Sequence, residues 1–316
     1  MEVACSLEQT TVWVGPRVVA AGFFDGVHRG HQRLLSQTVQ RAQEVQRKSA
    51  VLTFDPHPLA IINPHEAPFM LSTMEQKLKS MESLGVDYVL KLPFDGYLRR
   101  LSPEEFVEEV IGKFLSPQLM IVGFNFTFGH KAVGRVEDLE RLLKRADIGM
   151  EVMQPVVVDG TIISSTAIRQ FLSQGDVEQA ASFLGRPYRL QGHVETGYGR
   201  GSTLGFPTCN LRTPERVMVP KRGVYVVSAV LPGGDKVNAV CNIGYRPTFG
   251  DTTNTIEVHL IDHKGNHYGD VLAVDFHLYL REEQRFASVE MLKSQVSCDI
   301  QKTRDYFSDF ACSQGV

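Results

Sequence analysis

The sequence predicts an α/β protein of two domains, with a mostly parallel sheet in the first half and short strands in the second. Two observations support this prediction. Up to Gly185, apolar runs of strand length alternate with helical segments, which is the pattern of a parallel sheet covered on both faces. Beyond Gly185, strands follow one another with Gly and Pro turns and no helix between them, which favours a small closed barrel or a sandwich.

The composition excludes several classes of protein. The 316 residues are 43% hydrophobic and 22% charged, which suits separate cores for two domains. The 33 basic residues against 36 acidic ones give no sign of a nucleic-acid surface. No apolar run has the length of a membrane span and no signal peptide is indicated, so we expect a cytoplasmic protein with neither nucleic-acid nor membrane partners. The five scattered cysteines indicate neither a zinc site nor a disulfide framework.

The first predicted unit is a strand, a turn and a helix. An apolar run at 17–24 stops at a turn and leads into a Gln-, Arg- and Leu-rich segment at about 31–48. The first N–H groups of a helix are unpaired and its dipole is positive there, so this turn suits a phosphate. His28 and His31 share one face of the first helical turn, and Gly30 leaves room for an anion. For a single histidine at a helix start, an ordinary surface position is the alternative.

The rest of the first half continues the alternation of strands and helices. Strands are predicted at 50–54, 88–92, 118–122 and 150–158, and helices at 74–84, 103–114, 136–145 and 175–184. Capping boxes at Ser72–Glu75 and Ser102–Glu105 begin two of the helices. Three segments follow strands directly: Asp25 to His31, Asp55 to Pro58 and Gly123 to Gly129. Because ligands bind outside the carboxyl ends of parallel strands, we expect these segments to form one site.

The second half is predicted to contain strands and one terminal helix. The strands are at 188–195, 224–230, 237–242, 255–261 and 271–280, the helix is at 288–307, and Pro232 to Asp235 is a hairpin turn. In the strand at 255–261, Ile256 and Val258 share one face, so Glu257 lies on the other. By this pattern alone, Glu257 is a solvated strand carboxylate.

Two motifs of the first half carry a resemblance to a known family. The window Gly22-Phe23-Phe24-Asp25-Gly26-Val27-His28-Arg29-Gly30-His31 resembles the nucleotidyltransferase signature in the form found in bacterial bifunctional FAD synthetases. Ile163-Ser164-Ser165-Thr166-Ala167-Ile168-Arg169 is similar to a second motif of that superfamily. In these enzymes an FMN adenylyltransferase domain precedes a riboflavin kinase domain. The resemblance therefore implies a Rossmann-like nucleotidyltransferase domain over 1–186 and a small antiparallel barrel with a terminal helix over 187–316.

The resemblance implies roles for residues of the first domain. His28, His31 and Arg169 are expected to stabilise the charge on the phosphates during catalysis. The other expected ATP contacts are Gly22, Phe24, Asp25, Gly30, Asn125, Ser165 and Thr166, and the expected flavin contacts are Asp55, His57, Pro58 and Phe128. Three structural alternatives remain open: a plain turn for 55–58, core packing for the Phe residues of 123–129, and an N-cap for the hydroxyls at 165–166.

The second domain carries its own motif. The stretch from Gly197 to Leu211 resembles the glycine loop and the Gly-Phe-Pro-Thr-Ala-Asn motif of riboflavin kinases. The implied contacts with ATP and Mg²⁺ are Gly199, Gly201, Gly205, Thr208 and Asn210, the last two as metal ligands. Glu257 is implied to be the general base and Arg281 a flavin contact. Two positions depart from the family pattern, Cys209 in place of Ala and Ser202 in place of Arg, for which Arg200 could substitute.

The expected function follows from these resemblances. Riboflavin would be phosphorylated by ATP to FMN, and FMN would then be adenylylated by a second ATP to FAD with release of pyrophosphate, both with Mg²⁺. The alternatives are a monofunctional FMN adenylyltransferase with an impaired kinase domain, motivated by Ser202, and a flavin-binding protein without turnover. The sequence leaves the oligomeric state open.

Overall fold

The structure is a computed structural model that describes residues 1–196, 204–245 and 254–314. The chain divides into two compact units, Met1–Ser165 and Thr166–Val316. The domain boundary predicted after residue 186 lies inside the second unit and stays a prediction. Within the described ranges, no helix is long and apolar enough to cross a lipid bilayer.

A parallel sheet forms the centre of the first unit, as predicted. Among the described residues its strand order is β1-β4-β3-β2-β5-β6 and every pairing is parallel. The strands are β1 (Glu2–Ala4), β2 (Arg17–Ala21), β3 (Lys48–Phe54), β4 (Tyr88–Leu92), β5 (Pro117–Gly123) and β6 (Gly149–Met153). The sequence analysis missed β1, because three residues are too few to show an apolar pattern. A small hairpin of β7 (Val157–Val158) and β8 (Thr161–Ile162) replaces the end of the strand predicted at 150–158.

Helices cover both faces of this sheet. They are α1 (Arg29–Glu44), α2 (Pro58–Ile62), α3 (Met74–Ser83), α4 (Pro103–Glu105), which continues as a π-helix over Phe106–Leu115, and α5 (Val136–Arg145). Short 3₁₀ turns lie at Glu8–Val12, Asp25–Val27, Leu98–Arg100 and His130–Ala132. Alternate residues of β2 belong to different cores: Val19 and Ala21 to one, Val18 and Ala20 to the other. Burial on both faces explains the continuous apolar runs of the strands.

Two local predictions need correction. The capping box of α3 is formed by Thr73 and Gln76, one residue later than predicted. The Ser72 hydroxyl instead accepts a hydrogen bond from the Gly26 N–H at 3.2 Å. Helix α2 was not among the predicted helices, but it can begin at Pro58 because a proline at the first helical position has no N–H to lose.

The second unit is built on a closed barrel, which confirms the barrel and excludes the sandwich. The barrel order is β10-β13-β12-β11-β14-β9 and all pairings are antiparallel. The strands are β9 (Tyr188–Glu195), β10 (Cys209–Arg212), β11 (Gly223–Val230), β12 (Lys236–Tyr245), β13 (Asn254–Leu260) and β14 (Val271–Arg281). The sequence analysis did not include β10 among the predicted strands, although this strand closes the barrel between β9 and β13.

Helices surround the barrel. These are α6 (Ser165–Gln174), which crosses the division between the units, α7 (Val177–Leu184) and the terminal helix α8 (Val289–Gln314). Helix α7 packs against β9 and β14. Helix α8 contributes Ile300 and Val296 to an apolar cluster with Val224 and Val240 of the barrel. The outward face of the barrel beside α8 is therefore partly covered.

Candidate active sites

The turn after β2 is held in an unusual backbone conformation. Phe24 has φ 56° and ψ 35°, in the left-handed region, and its ring is buried. A Cβ at Gly22 would lie 3.0 Å from that ring, so any larger residue would displace the Phe24 ring from its position. The buried carboxylate of Asp25 accepts the Leu71 N–H at 3.0 and 3.1 Å, and its backbone carbonyl accepts the Ser165 hydroxyl at 3.2 Å. The side chain of Asp25 therefore anchors the turn.

The two histidines stack on each other at the start of α1. Their ring centroids are 3.6 Å apart and the planes differ by 15°. His28 Nδ1 accepts the backbone N–H of His31 at 3.2 Å and so caps the helix, which leaves the proton of the neutral His28 ring on Nε2. A Cβ at Gly30 would lie 3.2 Å from the His28 ring. The stacking agrees with the predicted shared face of the two histidines, while the approach of an anion at Gly30 stays a prediction.

Burial controls the charge of His31. It lowers the pKa of His31 well below the usual value, and the charges of His28 and Lys77 lower this pKa further. The imidazole is therefore neutral at pH 7. Its Nδ1 atom is buried and has no hydrogen-bond partner among the described residues. A negatively charged group at the turn would favour protonation of this ring.

Lys77 adds a buried cation that the sequence analysis did not identify. Its ammonium donates to the Phe23 carbonyl at 2.7 Å and lies 3.9 Å from the centroid of the Phe23 ring. Burial lowers the pKa of Lys77 to about 8, against the opposing effect of Asp25 and Asp55. Lys77 is thus mostly charged at neutral pH and brings positive charge to the turn. One lysine on the buried side of a helix is too weak a sequence signal to reveal this role.

The pKa of His31 predicts a pH dependence of stability. The unfolded chain takes up a proton at His31 near pH 6.5, whereas the folded protein keeps this ring neutral to lower pH. Below pH 6.5 the wild type should therefore lose up to about 1.4 kcal/mol of unfolding free energy per pH unit from this residue, until the folded pKa is reached. Urea unfolding of wild type and His31→Gln at pH 7 and pH 5 measures the difference. Exposed His65→Gln is the control, and identical pH dependence of wild type and His31→Gln would contradict the assignment.

The other two predicted segments lie at the same edge of the sheet, because β3, β2 and β5 are neighbours. In the segment after β3, Asp55 pairs with Lys91 at 3.4 Å, and His57 Nδ1 accepts the Leu59 N–H at 3.1 Å. The His57 ring contacts Phe23 edge-on at 4.3 Å. Asp55 to Pro58 therefore adjoins the turn through Phe23, while its contact with a flavin stays a prediction.

In the loop after β5, the aromatic rings divide between core and surface. Phe128 is 5% exposed and packs on Phe106 and Phe126, whereas Phe124 is 45% exposed. Phe128 is thus packed in the core, Phe124 is the most exposed of the three rings, and the flavin contact of Phe128 stays a prediction. Asn125 follows β5 at the predicted edge, with its Oδ1 atom close to Gly123.

Helix α6 carries the last predicted residues of the first site. Ser165, at its first position, bonds the turn through Asp25 as described above. Thr166 and Arg169 lie in the first turns of the same helix, and the division between the compact units falls between Ser165 and Thr166. The phosphate contacts assigned to Thr166 and Arg169 stay predictions.

The second candidate site is a polar row on the outside of the barrel. In the strand register of the barrel, Glu257 of β13 lies directly opposite Asn210 of β10 on one side and directly opposite Asn242 of β12 on the other. Directly opposite residues project to the same face, so the three side chains are neighbours. Ile256 and Val258, which alternate with Glu257, are buried in the barrel. Glu257 therefore points outward, as the alternation predicts, and Asn242 is a neighbour that the sequence analysis gave no role.

The row borders a pocket of about 380 Å³ beside α8, whose lining includes Phe206, Thr208, Asn242, Glu257, Arg281 and Phe286. Arg281 donates from Nε and Nη2 to the buried carboxylate of Asp299 on α8, at 3.0 and 2.7 Å. Asp299 also accepts the Gln295 amide at 2.9 Å. Arg281 is thus fixed in the pocket wall by a residue that the sequence analysis missed, while its flavin contact stays a prediction.

The segment leading into Thr208 is fixed from the neighbouring strand. The His259 Nδ1 atom lies 2.8 Å from the Pro207 carbonyl, and the His259 ring contacts Phe206 edge-on. Gly205 has φ +91°, which favours glycine. The predicted loop residues Gly199 and Gly201, as well as Arg200 and Ser202, lie outside the described residues.

These features define a class of protein: an enzyme with a nucleotidyltransferase-type sheet, followed by a kinase-type barrel with an outward carboxylate. The family model described as FAD synthetase matches residues 14–167, and the one described as riboflavin kinase matches residues 184–307. The chain belongs to the family of bifunctional riboflavin kinases/FMN adenylyltransferases.

Relatives match the chain over most of its length. The bifunctional riboflavin kinase/FMN adenylyltransferase of Pseudomonas fluorescens is 41% identical, and the match covers 91% of this chain and 92% of that protein. The bifunctional riboflavin kinase/FMN adenylyltransferase of Bacillus subtilis is 36% identical, and the match covers 92% of this chain and 93% of that protein. A crystal structure titled macrolide-efflux protein, from Streptococcus pneumoniae, has a TM-score of 0.87 at 29% identity and covers 96% of this chain and 98% of its own. That description applies to the Streptococcus pneumoniae protein alone.

Proposed function

We propose that this chain makes FMN and then FAD. The observation that supports the proposal most is that both family models match one chain in series, FAD synthetase over residues 14–167 and riboflavin kinase over residues 184–307. Riboflavin, FMN and ATP are the substrates, and FAD, ADP and pyrophosphate are the products. The cytoplasmic location stays a prediction.

In the first unit, the reaction is an in-line transfer of AMP. An oxygen of the FMN phosphate attacks the α-phosphorus of ATP, the bond from that phosphorus to the β-phosphate oxygen breaks, and pyrophosphate leaves. The attacking phosphate is already ionised, so no general base is required. The chain orients the phosphates and stabilises their charge with His28 Nε2–H, His31 and the N–H groups at the start of α1. Lys77 adds positive charge beside the turn, and Arg169 is the proposed cation from α6.

In the second unit, the reaction is phosphorylation of a hydroxyl. The 5′-hydroxyl of riboflavin attacks the γ-phosphorus of ATP, Glu257 takes the hydroxyl proton, and ADP leaves. Asn210 and Asn242 lie directly opposite Glu257 on the two neighbouring strands, so all three polar side chains are available at one site. Phe206 and Phe286 provide apolar walls for the flavin in the adjoining pocket.

Thr208 and Asn210, which lie beside Glu257, fit Mg²⁺. The Thr208 hydroxyl and the Asn210 amide supply oxygen atoms, the ligand type that Mg²⁺ prefers, beside the Glu257 carboxylate. When bound, the ion would neutralise charge on the ATP phosphates. Thr208 and Asn210 are the proposed ligands of the kinase site.

One assay tests the proposal against its alternatives. Purified protein is incubated with riboflavin, ATP and Mg²⁺, and FMN and FAD are separated by chromatography. We expect both products in sequence. FAD formed only from added FMN would support a monofunctional adenylyltransferase, and no product from either flavin would support a binding protein.

The predicted boundary can be tested with two fragments. We expect fragment 187–316 to fold and phosphorylate riboflavin. Fragment 166–316 keeps α7, whose buried Val177, Ala180 and Phe183 lie on the helix that packs on β9 and β14, so we expect it to be about 3 kcal/mol more stable. Urea unfolding and the kinase assay measure both. An insoluble fragment 187–316 beside a folded 166–316 would contradict the boundary at 186.

A further inference from the structure

A pair of histidines at the end of the barrel has no role in the reactions above. His263 and His267 lie in the loop between β13 and β14, and their Nε2 atoms are 3.0 Å apart. Both residues line a pocket of about 520 Å³ together with Thr208, Cys209 and Asn210. The two ring nitrogens therefore face each other in a hydrogen bond at the edge of the pocket that contains the proposed kinase ligands, and a metal ion could bind both in place of the shared proton.

The orientation of one ring is fixed from behind. His267 Nδ1 lies 3.0 Å from the Asp270 carboxylate, and the His267 side chain is 12% exposed. The carboxylate accepts a hydrogen bond from Nδ1–H, which places the lone pair of the neutral ring on Nε2, facing His263. In metal sites, the histidine ligand usually donates a hydrogen bond from one ring nitrogen to a carboxylate, while the other ring nitrogen binds the metal.

The loop leaves space at that point. A Cβ at Gly265 would lie 3.1 Å from His267 Nε2 and 3.3 Å from His263 Nε2, so any larger residue would occupy the space next to both nitrogens. Two imidazole ligands of one tetrahedral zinc ion have nitrogens about 3.3 Å apart, which a small movement of either ring provides. The separation in the structure is thus close to a metal-bound one.

We propose that His263 and His267 bind a late first-row divalent ion, with Zn²⁺ as the representative. Imidazole nitrogens favour Zn²⁺, Cu²⁺ and Ni²⁺, whereas Mg²⁺ requires oxygen, so this site is separate from the proposed Mg²⁺ ligands. Among the residues that the structure describes, no group of three or more His, Cys, Asp and Glu is arranged to hold a metal. The ion is therefore held by two protein ligands, and water completes its coordination.

Calorimetric titration of metal-free, full-length protein with Zn²⁺ at pH 7.5, without nucleotide, tests the site. We expect one Zn²⁺ site in the wild type that is lost in His263→Gln and in His267→Gln and retained in the exposed control His65→Gln. Asp270→Asn should weaken binding by about 10- to 100-fold, because it removes the support behind His267. Gly265→Ala should also weaken it, and Cys209→Ala should not.

Thermal melting separates a lost site from a lost fold. Zn²⁺ should raise the melting temperature of the wild type, and His267→Gln should melt normally without metal but gain nothing from Zn²⁺. If His267→Gln does not fold, Gly265→Ala on the exposed loop carries the test. Equal Zn²⁺ affinity and stoichiometry in the wild type, in both His→Gln variants and in Gly265→Ala would overturn the proposal.

Discussion

His31→Ala is expected to lower the rate of FAD formation by about 100-fold or more, while FMN still accumulates from riboflavin. The substitution removes the ring that stacks on His28 at 3.6 Å and, with it, a buried nitrogen at the turn for which phosphate binding is proposed. The helix start should survive, because the N-cap bond uses the backbone N–H of residue 31 and not its side chain. The loss would therefore be catalytic rather than structural.

The measurement is a time course of FMN and FAD from riboflavin and from added FMN. His65→Ala, which removes an exposed histidine of the same unit, is the matched control and should leave both rates unchanged. Unimpaired FAD synthesis by His31→Ala would remove the histidine pair from the mechanism. A parallel loss of FMN formation would instead indicate a general folding defect.

Glu257→Gln is expected to have the opposite effect. It should lower riboflavin phosphorylation by about 10²- to 10⁴-fold, because the amide cannot take the proton of the riboflavin hydroxyl. Gln has nearly the same shape as Glu, so the packing between Asn210 and Asn242 should be kept. FAD formation from added FMN should continue at the wild-type rate.

Initial rates with riboflavin and with FMN, at saturating ATP, measure this separation. The exposed Glu215→Gln is the control for loss of one carboxylate from the same unit. Normal riboflavin phosphorylation by Glu257→Gln would exclude Glu257 as the base. A fall in kcat with little change in KM would agree with a role in proton transfer rather than in binding.

The sequence predicts the fold well where a pattern is local. The apolar runs at 88–92 and 188–195 became strands with those bounds, and the helix at 136–145 was also correct. The alternation around Glu257 gave its outward direction. Short strands such as β1 and β10 carry too few residues to show a pattern, and they take their conformation from the strands beside them.

Contacts between distant residues could not be predicted. Lys77 bonds the carbonyl of Phe23, 54 positions earlier, and Asn242 meets Glu257 only because β12 and β13 pair in one register. The Ser72 hydroxyl, which was predicted to cap a helix, instead accepts a hydrogen bond from the N–H of Gly26, 46 positions earlier in the sequence. In each case the partner is set by tertiary packing, on which propensity and periodicity carry no information.

The shortest strand of the barrel also carries one of the proposed metal ligands. Strand β10 has four residues, against eight in β11 and eleven in β14, so few main-chain bonds hold it between β9 and β13. If β10 detaches, Asn210 leaves Glu257 while most of the barrel remains intact. Heating would then abolish phosphate transfer to riboflavin before the protein unfolds globally. The highest temperature at which the kinase works would be set by the pairing of β10 with its two neighbours and not by the free energy of global unfolding.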